Sequence, residues 1–214
     1  MSIDFLTHNK VRLALHQLRG GEGRPLLLLH GLGERTPTDV PAWAQGWAGP
    51  VHGLDFTGHG DSTVPMGGGY SAETLLADAD IALGHLGAAT IVGRGLGAYI
   101  TLMVAGARPQ IVHGAILCDG PGLWGGATGP TSTSFQSVDP PYGAPDPHAL
   151  IDLSRDLRPP DYASLFVRMA LEHSPLIEPI AVAAVVRPPW LAAVVEEVGV
   201  TVCPLPGALA LFAP

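Results

Sequence analysis

Short unbroken apolar runs alternate along this chain with segments whose apolar residues recur at helical spacing. The run 25–30, Pro-Leu-Leu-Leu-Leu-His, is ended by Gly31 and has no polar face, which predicts a strand of a parallel sheet covered on both sides. Residues 11–18 alternate instead, the pattern of an early strand near a sheet edge, with a turn at Gly20, Gly21 and Gly23. Residues 40–47 predict a short helix with Pro41 in its first turn, and 51–55 a weaker strand entering the loop 58–62. Ser71 opens the clearest helix. It is a good N-cap, Glu73 suits the positive helix start, and Leu75, Leu76, Ala79, Ala82 and Leu83 fall on one side. A strand to Val92, a helix over 96–107 and a strand over 114–119 follow.

Residues 120–147 are rich in Gly, Pro, Ser and Thr, and a segment of that length reads as either a functional lid or disordered chain. The lid or cap insertion as a whole is expected over 120–158. Helical spacing returns at 148–157 and 162–171, a strand-like run at 180–186, a helix at 190–198 and a last strand at 200–203. The alternation predicts one α/β domain over 1–214, a mostly parallel central sheet with helices on both faces and a reduced lid.

Composition narrows the partners. The formal charge is -8 and no basic run occurs, which argues against nucleic acid or an anionic membrane surface. The longest apolar run, 179–186, is too short to span a bilayer, and the first residues lack the basic start and apolar stretch of a signal peptide. A cytoplasmic protein is expected, with Cys118 and Cys203 as buried, unpaired thiols and a small molecule as its partner.

Three motifs carry the chemistry. His30-Gly31-Leu32-Gly33 follows a buried strand, residues 55–62 read Asp-Phe-Thr-Gly-His-Gly-Asp-Ser, and Gly93-Arg94-Gly95-Leu96-Gly97 joins a strand to a helix. Over 25–123 the chain resembles the α/β-hydrolase superfamily, whose His-Gly oxyanion loop, Asp-x-x-Gly-x-Gly-x-Ser loop and nucleophile elbow these segments match in order. The elbow's apex, a serine in the family's hydrolases, is Gly95 here. In that substitution the chain resembles the N-myc downstream-regulated proteins. The family's acid follows a late strand, where Asp119 stands, and its histidine follows the last strand. Here the last histidine is His173, well before that point.

The resemblance implies a binding site built from His30, Gly31, Leu32, Gly95, Leu96 and the lid residue Trp124. The amides of Leu32 and Leu96 would converge on a ligand's carbonyl or carboxylate oxygen, aided by the helix start. The expectation is non-hydrolytic binding of a small carbonyl- or carboxylate-bearing ligand, or of a protein partner. The alternative is an enzyme of noncanonical mechanism, using the same donors with Asp119, His59 or His148 as acid or base. Gly95→Ser is expected to cost about 1 kcal/mol and to give no efficient esterase, because a strained apex suits glycine and no base is supplied.

Several residues have plainer readings beside these. His30 organises its loop by hydrogen bonds, Ser62 caps a turn, and Arg94 is a surface or structural cation. His59 and Asp61 shape a loop, since two ligands do not make a metal site. Asp119 divides evenly between an acid and a turn cap. Phe135 and Tyr142 join Trp124 as lid aromatics over an apolar pocket. Gly93, Gly95 and Gly97 imitate a dinucleotide fingerprint, but they follow a late strand and no acidic residue stands near 112–114, so no nucleotide cofactor is expected.

Overall fold

The leucine run that names no face divides its side chains between two. In the computed structural model, which describes residues 2–66, 68–123, 143–154 and 158–214, strand β3 is Leu26–Leu29. Leu27 and Leu29 enter one apolar cluster and Leu26 and Leu28 the other, as the two-residue period of a strand requires. Ile91 and Val92 on β5 (Ala89–Arg94), and Leu117 and Ile116 on β6 (Val112–Cys118), divide in the same way. Burial on both sides explains the absence of polar positions in these runs.

The described strands form one eight-stranded sheet in the order β1-β2-β4-β3-β5-β6-β7-β8. β1 (Ser2–His8) and β2 (Val11–Arg19) are antiparallel, and β2 runs antiparallel to β4 (Val51–Leu54). From β4 through β7 (Ile180–Ala183) to β8 (Val200–Val202) every pairing is parallel. The carboxyl ends of β3, β5 and β6 therefore meet at one rim, where ligands of open α/β sheets bind.

Helices cover both faces, unequally. The larger cluster packs α1 (Ala72–Leu86), α2 (Leu96–Ala107), α3 (Pro147–Asp152), α4 (Asp161–His173) and α5 (Pro189–Val195) on one face. The other face carries the 3-10 turn Ala42–Ala44, with Trp47, and α6 (Leu205–Leu211), with Phe212. Residues 40–47 thus form less helix than expected, while α6 follows the last element expected from the sequence. β1 is a further addition to the sequence reading. Ser71 caps α1, its hydroxyl accepting the Thr74 amide.

Cys118 and Cys203 are free, and half-buried rather than fully buried, because they lie at strand ends. Among the described residues no helix is long and apolar enough to cross a membrane. Of the 120–158 insertion, residues 120–123, 143–154 and 158 are described, whereas Trp124, Phe135 and Tyr142 lie outside the described residues.

Candidate functional site

Residue 95 alone makes the turn from β5 to α2, with φ 53° and ψ -114°, a backbone that side chains disfavour. Space restricts it further. A Cβ at Gly95 would lie 2.1 Å from the Pro121 carbonyl oxygen and 2.4 Å from the Gly120 carbonyl carbon. The backbone after β6 occupies the place where an apex side chain would stand.

The Pro121 carbonyl oxygen also accepts hydrogen bonds from the amides of Leu32 and Leu96, each at 2.9 Å. Glycines permit this approach. A Cβ at Gly31 would stand 2.7 Å from Pro121 Cδ, one at Gly120 2.7 Å from the Gly95 nitrogen, and one at Gly122 2.9 Å from the Leu96 nitrogen. The far end of the segment is fixed as well. The Leu123 amide donates to the Leu153 carbonyl at 3.2 Å, and Trp190 Nε1 donates to the Leu123 carbonyl at 2.8 Å. Trp190 in turn meets Tyr99 edge to face, with centroids 5.0 Å apart. The expectation that the Leu32 and Leu96 amides stand open to a ligand's oxygen is corrected here. A carbonyl already tethered to the fold fills their common point without the loss of freedom that a free ligand would incur.

Asp119 is committed in the same economical way. Its two carboxylate oxygens accept the amides of Val185 and Val186, both at 2.7 Å, and so hold the loop between β7 and α5. These bonds reach the loop after β7 and not the turn that follows Asp119. Arg94 is half-exposed and pairs with Glu34, Nε to Oε2 at 2.8 Å, while the same Oε2 accepts the Gly31 amide at 2.9 Å. His148 is exposed at the start of α3, beside Gly68, and does not join the apex residues.

His30 and His59 stitch the two glycine loops together reciprocally. The Phe56 amide donates to His30 Nε2 at 3.1 Å, which leaves His30 Nδ1 as the proton donor to the Gly31 carbonyl at 2.7 Å. The Gly33 amide donates to His59 Nε2 at 3.2 Å, and His59 Nδ1 donates to the Thr57 carbonyl at 3.2 Å. Each imidazole is therefore held neutral by its neighbours' fixed donors. Burial, reinforced by the nearby His59, pushes His30 down to about 4, and burial likewise lowers His59.

Asp55, missed as a site residue, anchors the same loops. Its Oδ1 accepts the Thr36 amide at 2.7 Å, and its Oδ2 accepts the Asp61 amide at 2.8 Å and His16 Nε2 at 2.9 Å. Desolvation opposes its charge, but these donors outweigh desolvation and leave the carboxyl below its ordinary range. Asp61 lies beside His16 and Asp55, whereas the His59 ring faces His30 at 5.0 Å. Ser62 bridges Asp55 and Ala14 through its hydroxyl. The invariant geometry needed for these contacts is that of a backbone scaffold: a Cβ at Gly60 would lie 2.0 Å from Asp55 Oδ2.

Two cavities flank the apex. One of about 230 Å³ lies between Gly95, Asp119, Gly122 and the Trp190 region. The other, of about 320 Å³, opens on the thinly covered face and is walled by Leu28, Leu29, Val92, Trp43 and Leu205, with Arg35 and Arg94 among its polar residues.

The chain belongs to the α/β hydrolase fold family, whose model matches residues 24–159. It is similar in structure to an epoxide hydrolase from Vigna radiata, with 19% identity and a TM-score of 0.46 over 56% of this chain and 40% of that one. It is also similar to a probable hydrolytic enzyme from Pseudomonas aeruginosa, at 22% identity and a TM-score of 0.45, covering 55% and 40% of the two chains. A thioesterase domain from the curacin biosynthetic pathway matches at 26% identity and a TM-score of 0.47, covering 56% and 45%. The matched region thus spans less than half of each of these solved chains. No curated protein sequence matches significantly.

Proposed function

We propose that this protein is a non-hydrolytic member of the α/β hydrolase fold family, which uses the scaffold to bind a small carbonyl- or carboxylate-bearing molecule. The observation that supports the non-hydrolytic part of this reading is the Pro121 carbonyl on the Leu32 and Leu96 amides, with the Gly120-Pro121 backbone against Gly95, and a ligand's oxygen is therefore held elsewhere than on these two amides. In a serine hydrolase the equivalent donors receive the oxyanion of the tetrahedral intermediate, and the apex side chain attacks. Here no apex side chain exists, and the donors have an internal acceptor. Asp119 is bonded to backbone on both oxygens, and the described residues that follow β8, 203–214, include no histidine. A triad acts as a unit, so the loss of its members is not made good by the one that remains.

A lyase, cyclase or atypical esterase built on the same donors would first have to expel Pro121 and free Asp119. Among the described residues no contact in the site favours that reading.

Intact-mass spectrometry after incubation with a broad fluorophosphonate tests the proposal. The expected result is no adduct, beside a serine esterase control that labels fully. A stoichiometric adduct, located by peptide mapping, would reveal an activated nucleophile and overturn it.

A further inference from the structure

We infer that the cavity on the thinly covered face is a binding site for an amphipathic carboxylate, its apolar body between Trp43, Leu28, Val92 and Leu205 and its head at Arg94 and Arg35. The cavity lies at the carboxyl ends of β3, β5 and β6, bordered by His30, Arg94 and Cys118, on the side of the sheet opposite α1 and α2. At about 320 Å³ it falls at the lower end of the range for small-molecule sites. Among the described residues this face is covered by the 3-10 turn, Trp47, α6 and Phe212, with Val40 and Leu176 packed against them, and the cavity's lining includes the 34–37 stretch, Pro41, Trp43 and Leu205 at the start of α6.

The polar residues define the ligand's charge. The protein carries a formal charge of -8, yet this mouth presents two arginines against one carboxylate, Glu34. Arg35 is exposed and has no ion-pair partner among the described residues. Arg94 meets Glu34 through Nε at 2.8 Å and is half-exposed, and its planar guanidinium suits a carboxylate. An exposed pair of this kind adds little to stability, so the Arg94–Glu34 contact is readily exchanged. His30 supplies no charge, since both of its ring nitrogens are bonded to backbone.

The ligand class is that of the proposed function, but the site is separate, and it stands or falls independently of fluorophosphonate labelling. Calorimetric titration with octanoate, octan-1-ol and acetate separates the contributions of tail and head. Octanoate is expected to bind saturably, at least tenfold more tightly than octan-1-ol, with acetate showing no saturation. In a heteronuclear spectrum the Trp43 indole resonance, assigned with Trp43→Phe, is expected to shift with octanoate. Arg94→Gln is expected to weaken octanoate tenfold or more. Glu34→Gln keeps an acceptor for the Gly31 amide but removes the competing charge, and is expected to tighten binding several-fold. Equal affinity for octanoate and octan-1-ol, an unchanged affinity in both variants, binding without movement of the Trp43 resonance, or no binding would each overturn the inference.

Discussion

A serine at position 95 meets two obstacles that the turn motif alone does not reveal together. Backbone strain at φ 53° accounts for the cost of about 1 kcal/mol expected from sequence. The approach of a Cβ to within 2.1 Å of Pro121 adds an overpacking cost, and displacement of the 120–121 backbone brings the total to about 2–4 kcal/mol. Urea denaturation of Gly95→Ser and Gly95→Ala should give similar losses in that range, and a loss below 1 kcal/mol would show that the segment yields easily. At this scale Gly95 was legible because its neighbours form a motif. Pro121 was not, because its role belongs to a backbone carbonyl brought in by the chain's path, and no side chain signals it. The histidines give a second expectation. His30 has a folded value of about 4 against 6.5 unfolded, so between those values the unfolded chain binds more protons. Its neutral-state stabilisation is complete above pH 6.5 and is lost as pH falls toward 4, by at most about 3 kcal/mol at ~1.4 kcal/mol per unit. Chemical denaturation across that window should show the decline, and His30→Gln, which cannot titrate, should reduce it, leaving the part due to His59, while lowering stability at pH 7.

Loops between elements depend on single carboxylates. Removing the Asp119 side chain leaves the Val185 and Val186 amides without their acceptor, and Asp119→Ala is expected to cost about 2 kcal/mol. Hydrogen exchange at those two amides should accelerate, with fluorophosphonate labelling still absent; unchanged exchange would show that the loop is held by other contacts. At the start of α1, Ser71→Ala removes the acceptor for the Thr74 amide and should lower thermal stability by about 1 kcal/mol. These helix and strand positions were read from sequence where burial on a sheet or helix face imposed a period. The two elements that escaped have weak periods. β1 is an edge strand with mixed exposure, and its alternation separates no clear apolar face. α6 spans seven residues, follows Pro204 and contains Pro206 and Gly207, so its helical character rests on docking Ala208 and Phe212 against the sheet. Phe212 lies over Gly114, where a Cβ would come within 2.3 Å of its ring, a pairing set by tertiary position alone.

Across the whole molecule, the alternation of strands and helices predicted a mostly parallel sheet with helices on both faces, but neither its strand order nor which parts of its rim are open. The glycine-rich stretch after β6 read as lid or disordered chain, yet its first residues are inserted beneath the elbow, bonded to β3's loop, to α2 and, through Leu123, to α5. In catalytic members of such a fold, donors of this kind make their strongest contact for the lifetime of a transition state. Here the same kind of donors bond a backbone carbonyl of the chain itself. It joins three stretches distant in sequence at a single oxygen atom. Under the proposed function, two donors placed as in an oxyanion hole serve as a tertiary clasp between β3's loop, α2 and the segment after β6.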